Sequence, residues 1–408
     1  MKTEELQRLR KQRALELVKI SKISRRSKEE WRVPSQTKVG NYKIFSSWGK
    51  ETCNCPDFME RGLPCKHILA VELIQQLETK ELKEVKKMAM TAIKKITYSQ
   101  DWHAYDNAQT KEKELFMRLL SEALEIVEEP AYAFGRPKLS LKDLVFASAL
   151  KVYSTFSLRR FMTDMRGAFD KGLISKVSSY SSVSNYMRDK NLVSVLMKLI
   201  KLTSKPLTSI ETKFAIDSSG FRTTLFNDYC REKHETKQEH HWVKMHICCG
   251  VKTNVVTAVS FGDENHSADS PQFIPLTKET LESGFNIKEV SGDKAYSARD
   301  NLGFVDSIGA TAYVPFKINA TGRPNGKSWV WRKMFNYFTY NREEFMEHYH
   351  KRSNVETTFR MIKSKFTDLI RSKDKTAQIN ELLLKVLCHN ICVLIQEMQE
   401  LNITEELF

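Results

Sequence analysis

No stretch of this 408-residue chain approaches the ~20 consecutive apolar residues of a membrane-crossing helix. The N-terminus is charged from Lys2 onward and lacks the apolar core of a secretion signal. Membrane insertion and export are therefore not expected. The chain is expected to stay in the cytoplasm, where thiols are reduced. Its eight cysteines then read as metal ligands or core residues rather than disulfides. No internal repeat is visible. Acidic residues are in deficit: 50 Asp and Glu face 65 Lys and Arg, which leaves +15 at pH 7. That excess favours a polyanionic partner, most simply nucleic acid, although a basic surface with no specific partner carries the same charge. The apolar share of 41% is ordinary for a soluble globular protein, and the length allows two or three domains.

Texture changes along the chain suggest four parts. Residues 1–32 are polar and rich in Lys and Arg, a helix or a loose basic arm. Residues 33–75 contain a β-like stretch with Tyr42, Ile44 and Phe45, a Cys-rich turn, and the start of a helix marked by Leu69, Leu73, Leu77 and Leu82. Residues 76–205 read as a mostly helical DNA-binding or linker region, with a helix over 108–128 and a Pro- and Gly-bearing joint at 130–137. Within it, residues 179–186 could open a short helix of helix-turn-helix type. From 206 to 402 strands and helices interleave, which predicts a mixed α/β domain. Strand candidates there are 214–217, 242–251 with 255–261 as a hairpin around 252–254, 286–290 and 310–315. Helical patterns cover 271–283, 343–366 and 378–401.

Cys53, Cys55, Cys65 and His67 form a Cys-x-Cys pair, nine intervening residues, and a Cys-x-His pair. Residues two apart on extended backbone share a face, so each pair can point together. Pro56, Gly62 and Pro64 allow the loop to fold one pair onto the other. Three thiolates and an imidazole make a tetrahedral set suited to one structural Zn²⁺. Chance clustering in a small apolar core is the alternative. The pattern, in its context GNYKIF…CNCPDFMERGLPCKHILAV, closely resembles the SWIM-type zinc finger. That family is associated with binding DNA or protein, and the resemblance leaves open which applies here.

The acidic residues offer a second constellation. Asp217 ends the run Phe214-Ala215-Ile216 and precedes Ser218, Ser219 and Gly220. An acid at a strand end is also a common turn former. Asp293 follows Val290 and Gly292, while Asp300 and Asp306 follow helix-like sequence. Glu356 shares a predicted helix with Tyr349, Arg352 and Lys363, and at about 100° per residue all four fall within roughly 60° of one another. Val355, Phe359, Ile362 and Phe366 form the adjoining apolar stripe. An Arg352–Glu356 ion pair on a bland amphipathic helix explains the same spacing. Lys244 and His246, on a predicted strand, could line a cleft or simply pack. Trp329 and Trp331 read most plainly as the anchor of a β-hairpin. Cys248, Cys249, Cys388, His389 and Cys392 read as core packing.

Tyr349-x2-Arg352-x3-Glu356-x6-Lys363 matches the Tyr-Arg-Glu-Lys signature of bacterial and archaeal insertion-sequence transposases with an Asp-Asp-Glu (DDE) triad. YHKRSNVETTFRMIKSKF resembles that family throughout, as do AIDSSGF around Asp217, VSGDKAYS around Asp293, and GRPKLSLKDLVFASALKVYS. The resemblance spans roughly 100–400. It implies an RNase H-like fold, a mixed sheet flanked by helices, with the helical region and zinc finger in front. It also implies Asp217, Asp293 and Glu356 as catalytic ligands of two Mg²⁺ or Mn²⁺ ions, with Tyr349, Arg352 and Lys363 on DNA near the cut phosphate. Implied partners are the terminal inverted repeats, target DNA and a second copy of the chain; no membrane partner is expected. Family relatives set aromatic residues near Trp329 and Trp331 against a flipped base. The 63 positions from Asp293 to Glu356 leave room for only a modest insertion, so a hairpin intermediate is not expected. A catalytically silent descendant, or a nuclease of the same fold that does not join strands, would carry much of this pattern.

Overall fold

A computed structural model of the protein describes residues 3–20, 23–27, 30–35, 40–47, 50–75, 101–131, 134, 139–223, 242–262, 268–323 and 329–401. The chain divides into two units, Met1–Gln100 and Asp101–Phe408.

The first unit begins with helix α1 (Thr3–Ile20). Strands β1 (Ser24–Arg25), β2 (Glu30–Pro34), β3 (Asn41–Ser47) and β4 (Lys50–Cys53) then form an antiparallel sheet in chain order. Alternation along β2 sends Trp31 and Val33 inward. They meet Ala14 and Leu17 of α1, Ile44, and Ile68 and Val71 from the helix over residues 66–75. Arg10 reaches across to Asp57, with its Nη2 2.6 Å from Oδ1. The stretch 1–32, read from sequence as a separate arm, thus contributes a helix and two strands to the same core as the Cys-rich turn. The helix predicted to run on to residue 95 lies outside the described residues beyond position 75.

Two short helices, α2 (Pro56–Arg61) and α3 (residues 66–75), follow β4 in the first unit, and in the second unit helices α4 (Trp102–Ala123), α5 (Leu141–Ser154), α6 (Leu158–Asp170), α7 (Tyr180–Tyr186) and α8 (Asn191–Ser204) precede a five-stranded sheet. Local chemistry sets their starts: the side chains of Asp101, Ser140 and Ser179 accept the free backbone N–H groups at the heads of α4, α5 and α7. The sheet comprises β5 (Lys213–Arg222), β6 (Trp242–Gly250), β7 (Val256–Phe261), β8 (Glu289–Gly292) and β9 (Thr311–Tyr313) in the order β7-β6-β5-β8-β9. β5, β6 and β7 are antiparallel neighbours, whereas β5, β8 and β9 run parallel. The β6–β7 turn closes on Asn254 at φ 64°, a conformation asparagine tolerates. Glu211 holds that turn by accepting from the backbone of Lys252 and Thr253. It lies so close that a Cβ on Gly250 would come 2.4 Å from its carboxyl carbon, which is why glycine ends β6.

Period-two alternation splits the sheet between two cores. Phe214, Ile216, Cys248 and Ala258 face α9 (Phe273–Glu282) and α10 (Arg299–Ser307). Ala215, Phe221, Ile247 and Cys249 face α13 (Ser353–Phe366) and α14 (Lys375–Leu401). Cys248 and Cys249 pack on opposite sides, both in the interior. Residues of α4, α5 and α8 such as Phe116, Leu120, Phe146, Leu150 and Leu199 join the second core, so the helices N-terminal to β5 and the sheet share one interior.

Two sequence expectations change here. Helix α14 is long and apolar enough by composition to cross a membrane, contrary to the reading that no stretch approaches this. It is a core helix, with 83% of its most apolar window buried inside the protein. Its polar residues explain why it suits a protein interior: Asn390 bonds both backbone groups of Val256, and the His389 ring meets the Asn254 carbonyl at 2.9 Å. Burial holds His389 neutral, down at about 4. Trp329 and Trp331 anchor no hairpin. They start helix α11 (Trp329–Tyr340), where Trp331 is buried and Trp329 is exposed. Helix α12 (Arg342–Tyr349) follows, and a 3₁₀ turn (His350–Arg352) joins it to α13.

Candidate metal centre and candidate active site

In the first unit, Cys53 closes β4 opposite Ile44. Cys55 stands at the head of α2 (Pro56–Arg61), an entry that Pro56 favours because it has no N–H to leave unpaired. Gly62, at φ 63°, ends α2 in the left-handed region and turns the chain back. Cys65 then leads into α3 (residues 66–75), and His67 lies in its first turn. The second pair is therefore brought together by a helix start, not by the extended alternation its spacing suggests. All four residues are buried, and their ligand atoms lie within 4.8 Å of one another. His67 Nδ1 is 3.9 Å from Cys53 Sγ and 3.8 Å from Cys65 Sγ. A zinc tetrahedron with ~2.3 Å Zn–S bonds has edges of about 3.8 Å, so the donors fit the ion. Hydrogen bonds from Cys53 and His67 push the Cys65 thiol down to about 4, while the bond to Cys65 pushes Cys53 up.

In the second unit, Asp217 lies on β5 one residue past Ile216, which pairs with Gly292 of the parallel strand β8. Asp293 follows Gly292 and caps the 3₁₀ turn Lys294–Tyr296, its Oδ1 accepting the Ala295 N–H at 2.8 Å. Asp293 thus leaves the end of β8 beside Asp217, which lies midway along β5 and not at the strand end expected from sequence. Glu356, in the first turn of α13, is linked to Asp217 through Arg352. The guanidinium donates to Asp217 Oδ2 at 2.6 Å and to Glu356 Oε1 at 2.5 Å. Burial raises the Asp217 pKa, and Asp293 and Glu356 raise it further, against the Ser218 N–H and Arg352. Each residue holds hard oxygen donors, and the site concentrates negative charge beyond what one arginine neutralises. Divalent Mg²⁺ or Mn²⁺ suits that donor set. Among the described residues, only the cysteine cluster already has its ligand atoms drawn together.

Asp217, Glu356 and Lys363 border one open groove, and the other site residues singled out from sequence lie outside its lining. Lys363 Nζ donates to Ser219 Oγ at 2.7 Å and to the Gly220 carbonyl at 2.9 Å. Burial lowers its pKa. Tyr349 ends α12, so the 3₁₀ turn and not one continuous helix brings it to Arg352, whose guanidinium lies 5.9 Å from the ring centroid. The ion pair Arg352–Glu356 exists, but the same guanidinium also grips Asp217, which an isolated amphipathic helix does not require. Lys244 and His246 sit on β6 beside Asp269, with Lys244 Nζ 2.5 Å and His246 Nδ1 3.7 Å from Oδ1. Asp269 also accepts from Ser218 Oγ at 3.2 Å, which ties a fourth acid to the residue after Asp217. Sequence reasoning missed Asp269 because it lies in a polar loop with no strand or helix pattern to mark it.

A mixed sheet of this strand order, with one acid midway along the central strand, one just past the neighbouring parallel strand and one on a following helix, defines an RNase H-like α/β domain. Residues 208–391 match the family described as Transposase DDE domain, and residues 47–75 match the SWIM zinc finger. The chain carries a DDE transposase domain preceded by a SWIM zinc finger with a Cys₃His metal-binding group. No curated protein matches the chain.

Proposed function

We propose that this chain is an insertion-sequence transposase that cleaves the ends of its element and transfers the freed 3′-OH to target DNA. The observation that carries the reading is Asp217 on β5 beside Asp293 after β8, with Glu356 at the head of α13 joined to Asp217 by Arg352, within the segment similar to DDE transposases. These three would hold two Mg²⁺ or Mn²⁺ ions, which when bound activate the attacking oxygen and neutralise the leaving one. Arg352 is suited to clamp a phosphate oxygen pair once it turns from the carboxylates, because its fork matches that geometry. Lys363 adds a fixed positive charge at the groove floor, and Tyr349 offers a ring face to an unpaired base. Water hydrolyses the bond at the element end, and the freed 3′-OH then attacks a target phosphodiester, joining to its phosphorus as the target strand's 3′-oxygen leaves, with no covalent enzyme–DNA intermediate. The zinc-finger unit and the helical segment before β5 are assigned to recognition of the terminal inverted repeats. Two copies would act on paired ends, in the cytoplasm at the nucleoid.

The test uses a plasmid carrying the gene's own flanking DNA, incubated with Mg²⁺ or Mn²⁺ and either the native chain or Glu356→Gln. Breaks at defined ends with joined products, both lost in the variant, support the proposal. Cutting without joining would make it a nuclease. Tight binding with no chemistry in either protein would make it a silent descendant.

A further inference from the structure

From Ser307 to Arg342 the sequence has no acidic residue and six basic ones, Lys317, Arg323, Lys327, Arg332, Lys333 and Arg342. In a chain with 50 acids, so long an acid-free run concentrates positive charge on one part of the surface. The topology says where. β9 runs parallel to β8, with Tyr313 level with Ser291. The loop after β9 (residues 314–323) therefore leaves the sheet at the same end as Asp217 and Asp293. It starts one strand beyond β8, about 5 Å across the sheet.

The loop is held firmly. Phe316 packs edge-on against the Trp331 and Phe335 rings, with centroids 4.7 and 5.3 Å away. Trp331 Nε1 donates to the Thr321 carbonyl at 2.9 Å. Gly322 lies so tightly on α11 that a Cβ there would be 2.7 Å from the Phe335 ring. Between loop and helix runs an open groove bordered by Arg323, Arg332, Phe335 and Asn336. Arg299, six residues after Asp293, stacks 4.8 Å from the Trp331 centroid on the inner side of this layer. Arg299, Arg323 and Arg332 form no salt bridge among the described residues. Lys333 instead lines a separate pocket together with Asp306.

We propose that this groove is a second contact surface for the DNA backbone, beside the carboxylate site on its β9 side, with Arg323 and Arg332 each taking a phosphate. Arginine forks on a pre-set surface bind phosphate oxygens in pairs without first breaking an ion pair. The inference rests on DNA being the substrate, but its test does not require cleavage. Binding of a fluorescent DNA duplex of arbitrary sequence to the full chain is followed by anisotropy across a salt series. Arg323→Ala/Arg332→Ala should make the slope of log K against log salt shallower by about 2, one unit for each lost phosphate contact. Arg323→Lys/Arg332→Lys should keep most of it. An Ala variant that keeps the native slope and melting temperature overturns the proposal, as does one that changes only the oligomeric state. If the slope falls as expected but the native chain cuts no DNA, this surface stands and the transposase reading falls.

Discussion

Replacing Arg352 with Gln removes the side chain that, among the described residues, bridges two of the three carboxylates. The arm to Asp217 is 2.6 Å long between side chains each 20% exposed, so it acts in a partly desolvated setting. The arm to Glu356 ends on a carboxylate that is 59% exposed and is largely screened. A charge-assisted bond of the first kind is worth about 1.5–3 kcal/mol, and the second adds up to about 0.5. Loss of roughly 2–3 kcal/mol in the metal-free protein follows. The pH dependence has a definite sign. Asp217 is raised above its ordinary value, so keeping it ionised costs stability above its folded pKa and nothing below its unfolded one. Without Arg352 that cost grows. The gap between native and variant proteins should be widest near neutrality and close as pH falls into the ordinary carboxylate range. The variant should also bind Mn²⁺ more tightly, by about 10-fold or more, because the ion no longer competes with a guanidinium. Calorimetric Mn²⁺ titration and melting with and without Mn²⁺ read these effects directly. Unchanged or weaker Mn²⁺ binding in the variant would refute the view that Arg352 stands in for a missing cation.

Cys65→Ser should cost the chain its zinc, measured as metal per protein, and weaken binding to the element ends while the melting of the DDE unit stays put. Zinc loss with unchanged end binding would separate the finger from DNA recognition. Glu289 supplies a pH test away from the groove. Burial works to raise it, but hydrogen bonds from His348, Lys351 and Lys213 outweigh burial and hold it at about 2. Its contribution is fully present above the ordinary value of 4.5 and is lost as pH falls through about 2. Glu289→Gln should therefore destabilise by about 1–2 kcal/mol at neutral pH, with the difference vanishing in strong acid. A difference that does not change with pH would rule out this account.

The sequence alone carried the features that repeat at short range or demand particular atoms. Paired Cys and His spacing marked the zinc group, because a tetrahedral ion accepts only a few donor sets. A short apolar run marked the strand before Asp217, because both its sides are buried, and a period-3.6 stripe marked the helix of Glu356, because one side of it is buried. Contacts distant in sequence were invisible. Nothing near Thr3–Ile20 announces that Ala14 and Leu17 complete the finger's core, and nothing in residues 375–401 names the strands and helices that bury that helix. Asp269 and the second grip of Arg352 likewise depend on which strands lie side by side. Spacing settled which groups could act together along one element. Strand order and burial decided which of them meet, since sheet neighbours are chosen by packing and not by position along the chain.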